Sequence, residues 1–519
     1  MRNETGISGL PVGYRVVVIT LDAHSAGPCD RAAARLLADF PGLSVDVHAA
    51  AEWGENPQAL VEAKAAIATA DIILVNLLFL EEHVQAILPS LEARRAGCDA
   101  LAGVISDAAI VKLTRMGALD MLAPASGTMA LLKRLRGSSK PSSQNGESKM
   151  RMLRRLPKIL KYIPGKAQDL RAWFMVMQYW LGGSDTNIES MLRFLISRYC
   201  RIEAWQNCAA APPEDYPEVG LYHPDLPGKM TTDITALPVP QKPVATVGLL
   251  LMRSYVLSDD TAHYDAVIRN FEANGLKVIP AFAGGLDARP AIEGYFQGTA
   301  GVQIDAMVSL TGFSLVGGPA YNNSQAAIAL LENLDVPYIA AHPLEFQTLG
   351  QWANAEQGLG PIETTMLIAL PELDGATCPT VFAGRHGPEG CQGCLHKCQA
   401  VPQSRAMAPC HERIDSLAEK TLRAARLRQK RNHDKNVAIV LFGFPPNAGA
   451  TGTAAYLDVF ESLQNTLTQM KADGYDVALP ETVAHLRAAV LEGNSKQYGQ
   501  DANVEAIVSA EEIVRSTPP

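Results

Sequence analysis

Residues 244–318 constrain the fold most. The stretch opens on an uncharged apolar run, Ala245–Met252 (ATVGLLLM), and passes a polar turn holding Asp259, Asp260 and His263. It continues as a helical pattern to Asn274 and Gly275. A second run, 277–282 (KVIPAF), ends at Gly284 and Gly285, and a third, 305–313 (DAMVSLTGF), ends at Gly317, Gly318 and Pro319. Apolar runs closed by Gly or Pro and separated by helical spacing describe parallel strands joined by crossover helices and buried on both faces. Ligands of such sheets bind beyond the carboxyl ends of the strands. The glycines Gly284, Gly285, Gly317 and Gly318 stand at those ends, where the lack of a side chain lets a flat or bulky ligand approach the backbone.

The same pattern recurs upstream. Residues 1–136 read as an α/β head, with strands expected at 15–21, 44–48, 71–78 and 102–106 and helices at 30–39 and 57–68. Asp22 and His24 follow its first strand, a position for a ligand or for a turn cap. Residues 137–149 (GSSKPSSQNGESK) have the composition of a flexible linker. Residues 150–243 read as a helical and proline-rich connector. Its basic amphipathic start carries Arg151, Arg154, Arg155, Lys158, Lys161 and Lys166, suited to a solvated helix face or to peripheral contact with an anionic membrane surface. Trp173, Phe174, Met177 and Trp180 follow as expected core. Residues 244–519 form a further α/β region, with later strands expected at 336–342, 437–442 and 475–479. The fold class is therefore α/β: several parallel-sheet Rossmann-like units with helices on both faces, in a multidomain chain.

Composition narrows the partners. The chain has 519 residues, 47% hydrophobic and 19% charged, in the range of a folded protein of several domains. A net charge of -9 argues against nucleic acid. No apolar run is long enough for a transmembrane segment, and the N-terminal residues lack the pattern of a signal peptide, so a cytoplasmic location is expected. Nine cysteines, an odd number, suit reduced thiols better than a disulfide framework.

Two further patterns carry chemistry. Cys391, Cys394 and Cys398 stand in a loop rich in Gly, Pro and His, with Cys410 and His411 after it and Cys378 before it. This density of thiols suits zinc or an iron–sulfur cluster, with His386, His396 or His411 completing a site, and equally suits a reduced loop that binds nothing. Gly449, Gly452 and Thr453 precede a helix, where free N–H groups hold an anion or simply make a tight turn. No Lys follows as in a Walker loop.

Several long stretches are similar to one family: KILKYIPGKAQDLRAWFMVMQYWLGGS, VGLYHPD, GLLLMRSYVLSDDTAHYDAVIRNFEANGLKVIPAFAGGLD, DAMVSLTGFSLVGGPA, PELDG, VFAGR and FGFPPNAGATGTAAYLDVF. The chain resembles the large H subunits of magnesium chelatases of the bacteriochlorophyll type, within the CobN/Mg-chelatase family, and more distantly the large subunits of cobaltochelatases. The resemblance implies a porphyrin-binding subunit that accepts Mg2+ into protoporphyrin IX for (bacterio)chlorophyll biosynthesis, with ATP hydrolysed by two AAA+ partner subunits. Members are much longer and carry a His/Glu motif of the form GTHGxLExxPGK that this sequence lacks. The chain is thus expected to correspond to an N-terminal portion, and the family's catalytic positions do not carry over. A non-catalytic porphyrin-binding or regulatory module and a metal-cluster sensor are the alternatives.

Metal insertion into a porphyrin needs a base for two pyrrole protons. His263, Asp259, Asp260, His342 and Glu345 are the residues of suitable type near the expected strand ends. A porphyrin also needs an apolar cleft with a cationic rim for its propionates. Arg253, after the first strand of the organising sheet, is the expected propionate partner.

Overall fold

The computed structural model describes residues 13–123 and 157–516, apart from 22–24, 55, 158–159, 207, 286, 299–300, 319–320, 392–393, 395, 397, 399, 402–405, 443–452, 455, 500–502 and 505. Asp22, His24, the 137–149 linker, most of the basic stretch after it, Pro319, Gly449 and Gly452 lie outside the described residues. The chain divides into two compact units, Met1–Leu422 and Arg423–Pro519.

The first unit holds two large sheets. The head sheet contains β1 (Tyr14–Thr20), β2 (Leu43–Ala49), β3 (Ile72–Asn76), β4 (Ala100–Val104), β5 (Arg115–Met116) and β6 (Leu119–Asp120), in the order β2-β1-β3-β4-β5-β6. Its first four strands are parallel, and β5 and β6 close the edge antiparallel. Alternation along β1 feeds two cores, because successive side chains of a strand point to opposite faces. Val16 and Val18 pack with Leu36, Leu170, Phe174 and Leu192, whereas Val17 and Ile19 pack with Ala63, Ile67 and Ile87.

The helices Lys166–Gly182 and Asp185–Tyr199 therefore form one covering layer of the head sheet. Trp173, expected in the core, is half-buried and donates its indole N–H to the Gly103 carbonyl (2.9 Å). Arg31 grips Asp185 through two bonds of 2.7 Å and donates to the Ser258 carbonyl (2.8 Å). That single guanidinium links a head helix, the covering helices and the end of the short helix Arg253–Leu257, which follows the strand Ala245–Met252 of the larger sheet.

The larger sheet contains β7 (Val219–Tyr222), β8 (Met230–Thr231), β9 (Ala245–Met252) and β10 (Leu276–Ala283). A small hairpin, β11 (Gln297–Gly298) with β12 (Gly301–Val302), intervenes before β13 (Ala306–Ser309). A second hairpin, β14 (Gly317–Gly318) with β15 (Tyr321–Asn322), precedes β16 (Tyr338–Thr348), β17 (Thr377–Arg385) and β18 (Met407–Pro409). The sheet order is β18-β17-β16-β13-β9-β10-β7-β8. The central strands from β10 to β17 are parallel, and the edges are antiparallel. β9 is central, which is why all eight of its residues are uncharged. Leu250, Ile279, Ala281, Met307, Tyr338 and Ala340 share a core with Ile292, Phe296, Leu330 and Leu334.

The expected strand at 305–313 is only four residues long, because Ser309 and Thr311 turn the chain over the sheet end by accepting the N–H groups of Thr311 and Phe313. In the second unit the helices Val459–Ala472 and Val483–Leu491 form, but 437–442 and 475–479 join no sheet among the described residues. They have no neighbouring strand there, and an apolar run becomes a strand only when another strand takes its backbone hydrogen bonds. Among the described residues no helix is long and apolar enough to cross a membrane.

Gly248 sits where β9 passes under the Phe296 ring, and a Cβ there would lie 2.7 Å from a ring carbon. We expect Gly248→Ala to lower the melting temperature, with an overpacking cost of about 1–3 kcal/mol. Phe296→Leu in the same chain should recover part of the loss, read by thermal melts of the single and double variants.

Candidate functional site

The chain leaves β9 for β10 on one side, and β13, β16 and β17 are laid down on the other. The reversal leaves a crevice beyond the carboxyl ends of β9 and β13, the place where doubly wound sheets bind ligands. A cleft of about 370 Å³ lies there, lined by Leu250, Leu251 and Met252 of β9 and by residues that follow β10 and β13. After β10 these are Gly285, Asp287 and Ala288; after β13 they are Thr311, Phe313 and Ser314. Much of that space is open to solvent, and the enclosed part, about 30 Å³, is far below the roughly 300–1,000 Å³ usual for ligand pockets, so the cleft takes the edge of a large ligand rather than enclosing one.

The walls are apolar and the rim is charged. Arg289 holds Asp287 through a guanidinium bond of 2.5 Å and a second of 2.9 Å. Gly285 has φ 85°, a left-handed conformation that favours glycine, and a Cβ there would meet nothing within 4 Å. At the β13 end, Ser314 donates to Oδ2 of Asp374 (2.6 Å), which also accepts from the Leu315 N–H (2.9 Å). Asp374 is buried, and its Oδ1 has no hydrogen-bond partner among the described residues. Two π-helical segments, Ile292–Phe296 and Thr364–Ala369, approach the cleft, the first over β9 and the second at the turn after β13. Phe296 lies over Gly248 of β9, and Leu367 lies against Gly312 between the lining residues Thr311 and Phe313. Such segments occur often at functional sites.

The expected site residues divide into several groups. Gly285 lines the cleft. Gly284 donates its N–H to the Glu218 carbonyl (2.5 Å), and the Glu218 carboxylate fills the space of its missing Cβ. Gly317 and Gly318 build the hairpin with Tyr321 and Asn322. Arg253 donates to the carbonyls of Pro217 (2.8 Å) and Tyr216 (3.1 Å), which fixes the chain entering β7. Asp259 is exposed and pairs with Lys229 (2.7 Å). Asp260 accepts the Met407 N–H at 3.0 Å and so anchors β18. Glu345 accepts the Tyr255 hydroxyl at 2.6 Å.

His263 and His342 are sealed in the core. His263 is fully buried among Tyr255, Tyr264 and Phe382, and burial lowers its pKa to about 3. His342 is buried in β16, and burial lowers its pKa to about 4. No ring nitrogen of either has a partner among the described residues. Both are therefore neutral at physiological pH and line no part of the cleft.

The cysteines do converge. The Cys391 N–H donates to the Cys398 carbonyl (3.0 Å), and Cys391, Cys398 and Cys410 share a small core with Leu344 and Leu349. Burial raises the Cys398 pKa, helped by the neighbouring Cys391 and Cys394, and raises that of Cys410 to about 11. Among the described residues no three His, Cys, Asp or Glu side chains group so as to hold a metal ion. The zinc or iron–sulfur expectation for Cys391, Cys394, Cys398 and Cys410 therefore gains no support from the described geometry. His396 and His411 lie near one another, with ring centroids 5.6 Å apart.

Sequence reasoning passed over Glu363 and Asp374 as site residues. Glu363 is buried and accepts the Phe346 N–H (3.0 Å), while its Oε2 has no partner among the described residues. Burial raises its pKa against the opposing pull of those backbone donors. The signal available for Asp374 was its place in the family-like PELDG; for Glu363 there was none, because a carboxylate in a helical stretch reads as solvated.

Fold and cleft define a doubly wound α/β protein with a small apolar crevice at the strand-order reversal. Comparison with known proteins makes this specific. The family model described as CobN/Magnesium Chelatase matches residues 177–516, and one for a domain of unknown function matches residues 15–174. The chain belongs to the CobN/magnesium chelatase family. It is 63% identical to the magnesium-chelatase H subunit of Cereibacter sphaeroides over 99% of this chain and 43% of that protein. It is 37% identical to the chloroplastic magnesium-chelatase ChlH subunit of Oryza sativa over 84% of this chain and 31% of that one. The aerobic cobaltochelatase CobN subunit of Pseudomonas aeruginosa is 29% identical over 61% of this chain and 24% of that protein. The chain thus spans less than half the length of these relatives. Among solved structures, the catalytic subunit of cobaltochelatase from Mycobacterium tuberculosis aligns with TM-score 0.47 and 17% identity, over 89% of this chain and 31% of that one.

The buried histidines give a pH dependence. Both folded pKa values lie below the unfolded value of about 6.5, so as pH falls through that value the unfolded chain takes up protons that the native state refuses. Stability should fall from pH 6.5 downward, by about 1.4 kcal/mol per pH unit for each histidine. Thermal melts between pH 7 and pH 5 of wild type and His263→Leu should show a shallower acid loss in the variant.

Proposed function

We propose that this chain is the porphyrin-handling part of a magnesium chelatase large subunit, which takes part in inserting Mg2+ into protoporphyrin IX for (bacterio)chlorophyll biosynthesis. The observation that carries the reading is 63% identity, over nearly the whole chain, to a magnesium-chelatase H subunit. The apolar cleft at the carboxyl ends of β9 and β13 supports it. One edge of the macrocycle lies against Leu250, Met252 and Phe313, and Arg289 at the rim meets a propionate. Among the described residues Asp287 is the one carboxylate lining the cleft, and opening of its ion pair with Arg289 frees the carboxylate to take a pyrrole proton and the guanidinium to meet the propionate. Mg2+ is substrate here. It prefers oxygen ligands and sheds water reluctantly, which is a reason for coupling insertion to ATP hydrolysed on two AAA+ partner subunits. Identity favours magnesium over cobalt, 63% against 29%. The cytoplasm is the proposed location.

A second reading, a porphyrin-binding or regulatory module without catalysis, is favoured by the chain's coverage of only 43% of that relative. Titration with protoporphyrin IX, followed by tryptophan quenching, tests what the readings share. Met252→Glu with Phe313→Glu should weaken binding at least tenfold, about 1.4 kcal/mol. Adding the ATPase subunits, Mg2+ and ATP then separates them: emission from the magnesium porphyrin supports catalysis, and binding without it supports the module. No uptake at micromolar porphyrin contradicts both.

A further inference from the structure

Asp374 is a carboxylate in an unfavourable place. It is 1% exposed and is the last residue of the helix Leu370–Asp374, which Gly375 ends in a left-handed conformation. The C-terminal end of a helix carries partial negative charge, so a carboxylate there is disfavoured unless a cation joins it. Its partners among the described residues are neutral. Oδ2 accepts the Ser314 hydroxyl at 2.6 Å and the Leu315 N–H at 2.9 Å, and Oδ1 has no partner. A buried charge is costly unless it is paired or holds a metal.

The oxygens around it form a set. Ser314 Oγ lies 2.8 Å from Oδ1 of Asn322 as well as 2.6 Å from Asp374. One hydroxyl proton cannot serve two acceptors, so with the Asn322 amide oriented as it is, oxygen faces oxygen with no proton between them. Tyr338 brings a phenol oxygen close by: burial, and after it the Asp374 charge, raises its pKa. Ser314 lines the cleft, so this set backs the cleft wall at the β13 end.

We infer that Asp374, Ser314 and Asn322 form a site for a hard divalent cation, Mg2+, held in the wall of the cleft. Its use as a waiting place for the substrate ion rests on the chelatase reading above; the site itself does not. Mg2+ takes oxygen ligands at about 2.0–2.1 Å in an octahedron, which sets adjacent ligands about 2.9 Å apart, near the separations of these oxygens. It commonly uses one or two carboxylates and keeps several waters, so one aspartate with two neutral oxygens suffices and the open cleft supplies water. The set holds no sulfur or imidazole, the ligands that select zinc and iron. The cation offsets the buried charge and the negative helix end together.

The test titrates the full chain, without porphyrin, with Mn2+, a paramagnetic probe that shares the octahedral oxygen preference of Mg2+. Loss of the free Mn2+ resonance should report binding that excess Mg2+ reverses. Hydrogen–deuterium exchange should slow at 313–316 and 372–376 when Mg2+ is added. Asp374→Asn keeps the size of the side chain and an acceptor for the Leu315 N–H, and should weaken Mn2+ binding at least tenfold. Surface carboxylates bind the ion too, and the difference between wild type and variant isolates this site. Ser314→Ala, which leaves the carboxylate in place, should weaken binding as well and carries the test should Asp374→Asn not fold. Unchanged affinity in these variants, or Mg2+-dependent protection confined to other segments, overturns the inference. A chain that takes up porphyrin but not the ion removes the site and leaves the chelatase reading standing. A chain that binds the ion here but takes up no porphyrin keeps the site and removes its role as a waiting place.

Discussion

The burial of β9 between two parallel neighbours is the constraint on which the larger sheet depends. A strand in that position presents both faces to helices, so it tolerates no charge along Ala245–Met252. It also fixes where the chain reverses. β10 pairs with β9 on one side over the full strand, and β13 pairs on the other only over Ala306–Ser309. The shorter partner leaves the last residues of β9 facing a gap, and the loops after β10 and β13 wall it in. Phe296 fits over β9 only because residue 248 is glycine. The cleft is thus a by-product of sheet order and strand length before it is anything chemical.

Buried polar atoms without partners among the described residues occur in the head, as at Asn76 and His83, and around the larger sheet. His263, His342, Oε2 of Glu363 and Oδ1 of Asp374 belong to the larger sheet or to the segments packed on it. Each such buried atom costs about 1–3 kcal/mol when it replaces a hydrated one. Sequences break local rules of this kind most often where function competes with stability. The Ser314–Asp374 pair ties one of these carboxylates directly to a residue lining the cleft. In the head sheet Val16–Ile19 and their partners make two apolar cores, and Arg31 joins it to the rest of its unit through Asp185 and Ser258.

The parallel strands β1–β4, β9, β10, β13 and β16 were legible because each is a short apolar run ended by Gly, Pro or a polar turn, as at 15–21, 245–252 and 277–282, whereas β17 and the antiparallel edge strands β5–β8 and β18 were not expected. The paired glycines pointed to the strand ends, and Gly285 does line the cleft. Individual site residues were less legible. His263 and His342 carry the right chemistry by type, but only the fold shows that aromatic and aliphatic packing shuts them away. Arg253 reads as a surface cation until its donors are seen on the carbonyls of Tyr216 and Pro217. Glu363 reads as solvated until β16 supplies its backbone donors. At 437–442 periodicity describes a strand, yet strand formation depends on a partner that local sequence does not contain.

The central claim is that a tetrapyrrole edge occupies the crevice between β9 and β13. Hydrogen–deuterium exchange of the intact chain with and without saturating protoporphyrin IX tests it most directly. The account predicts slowed exchange at 250–253, 283–288 and 311–315, with the cysteine loop and the head sheet unchanged. Porphyrin-dependent protection confined to other segments, with those three unaffected, would contradict it.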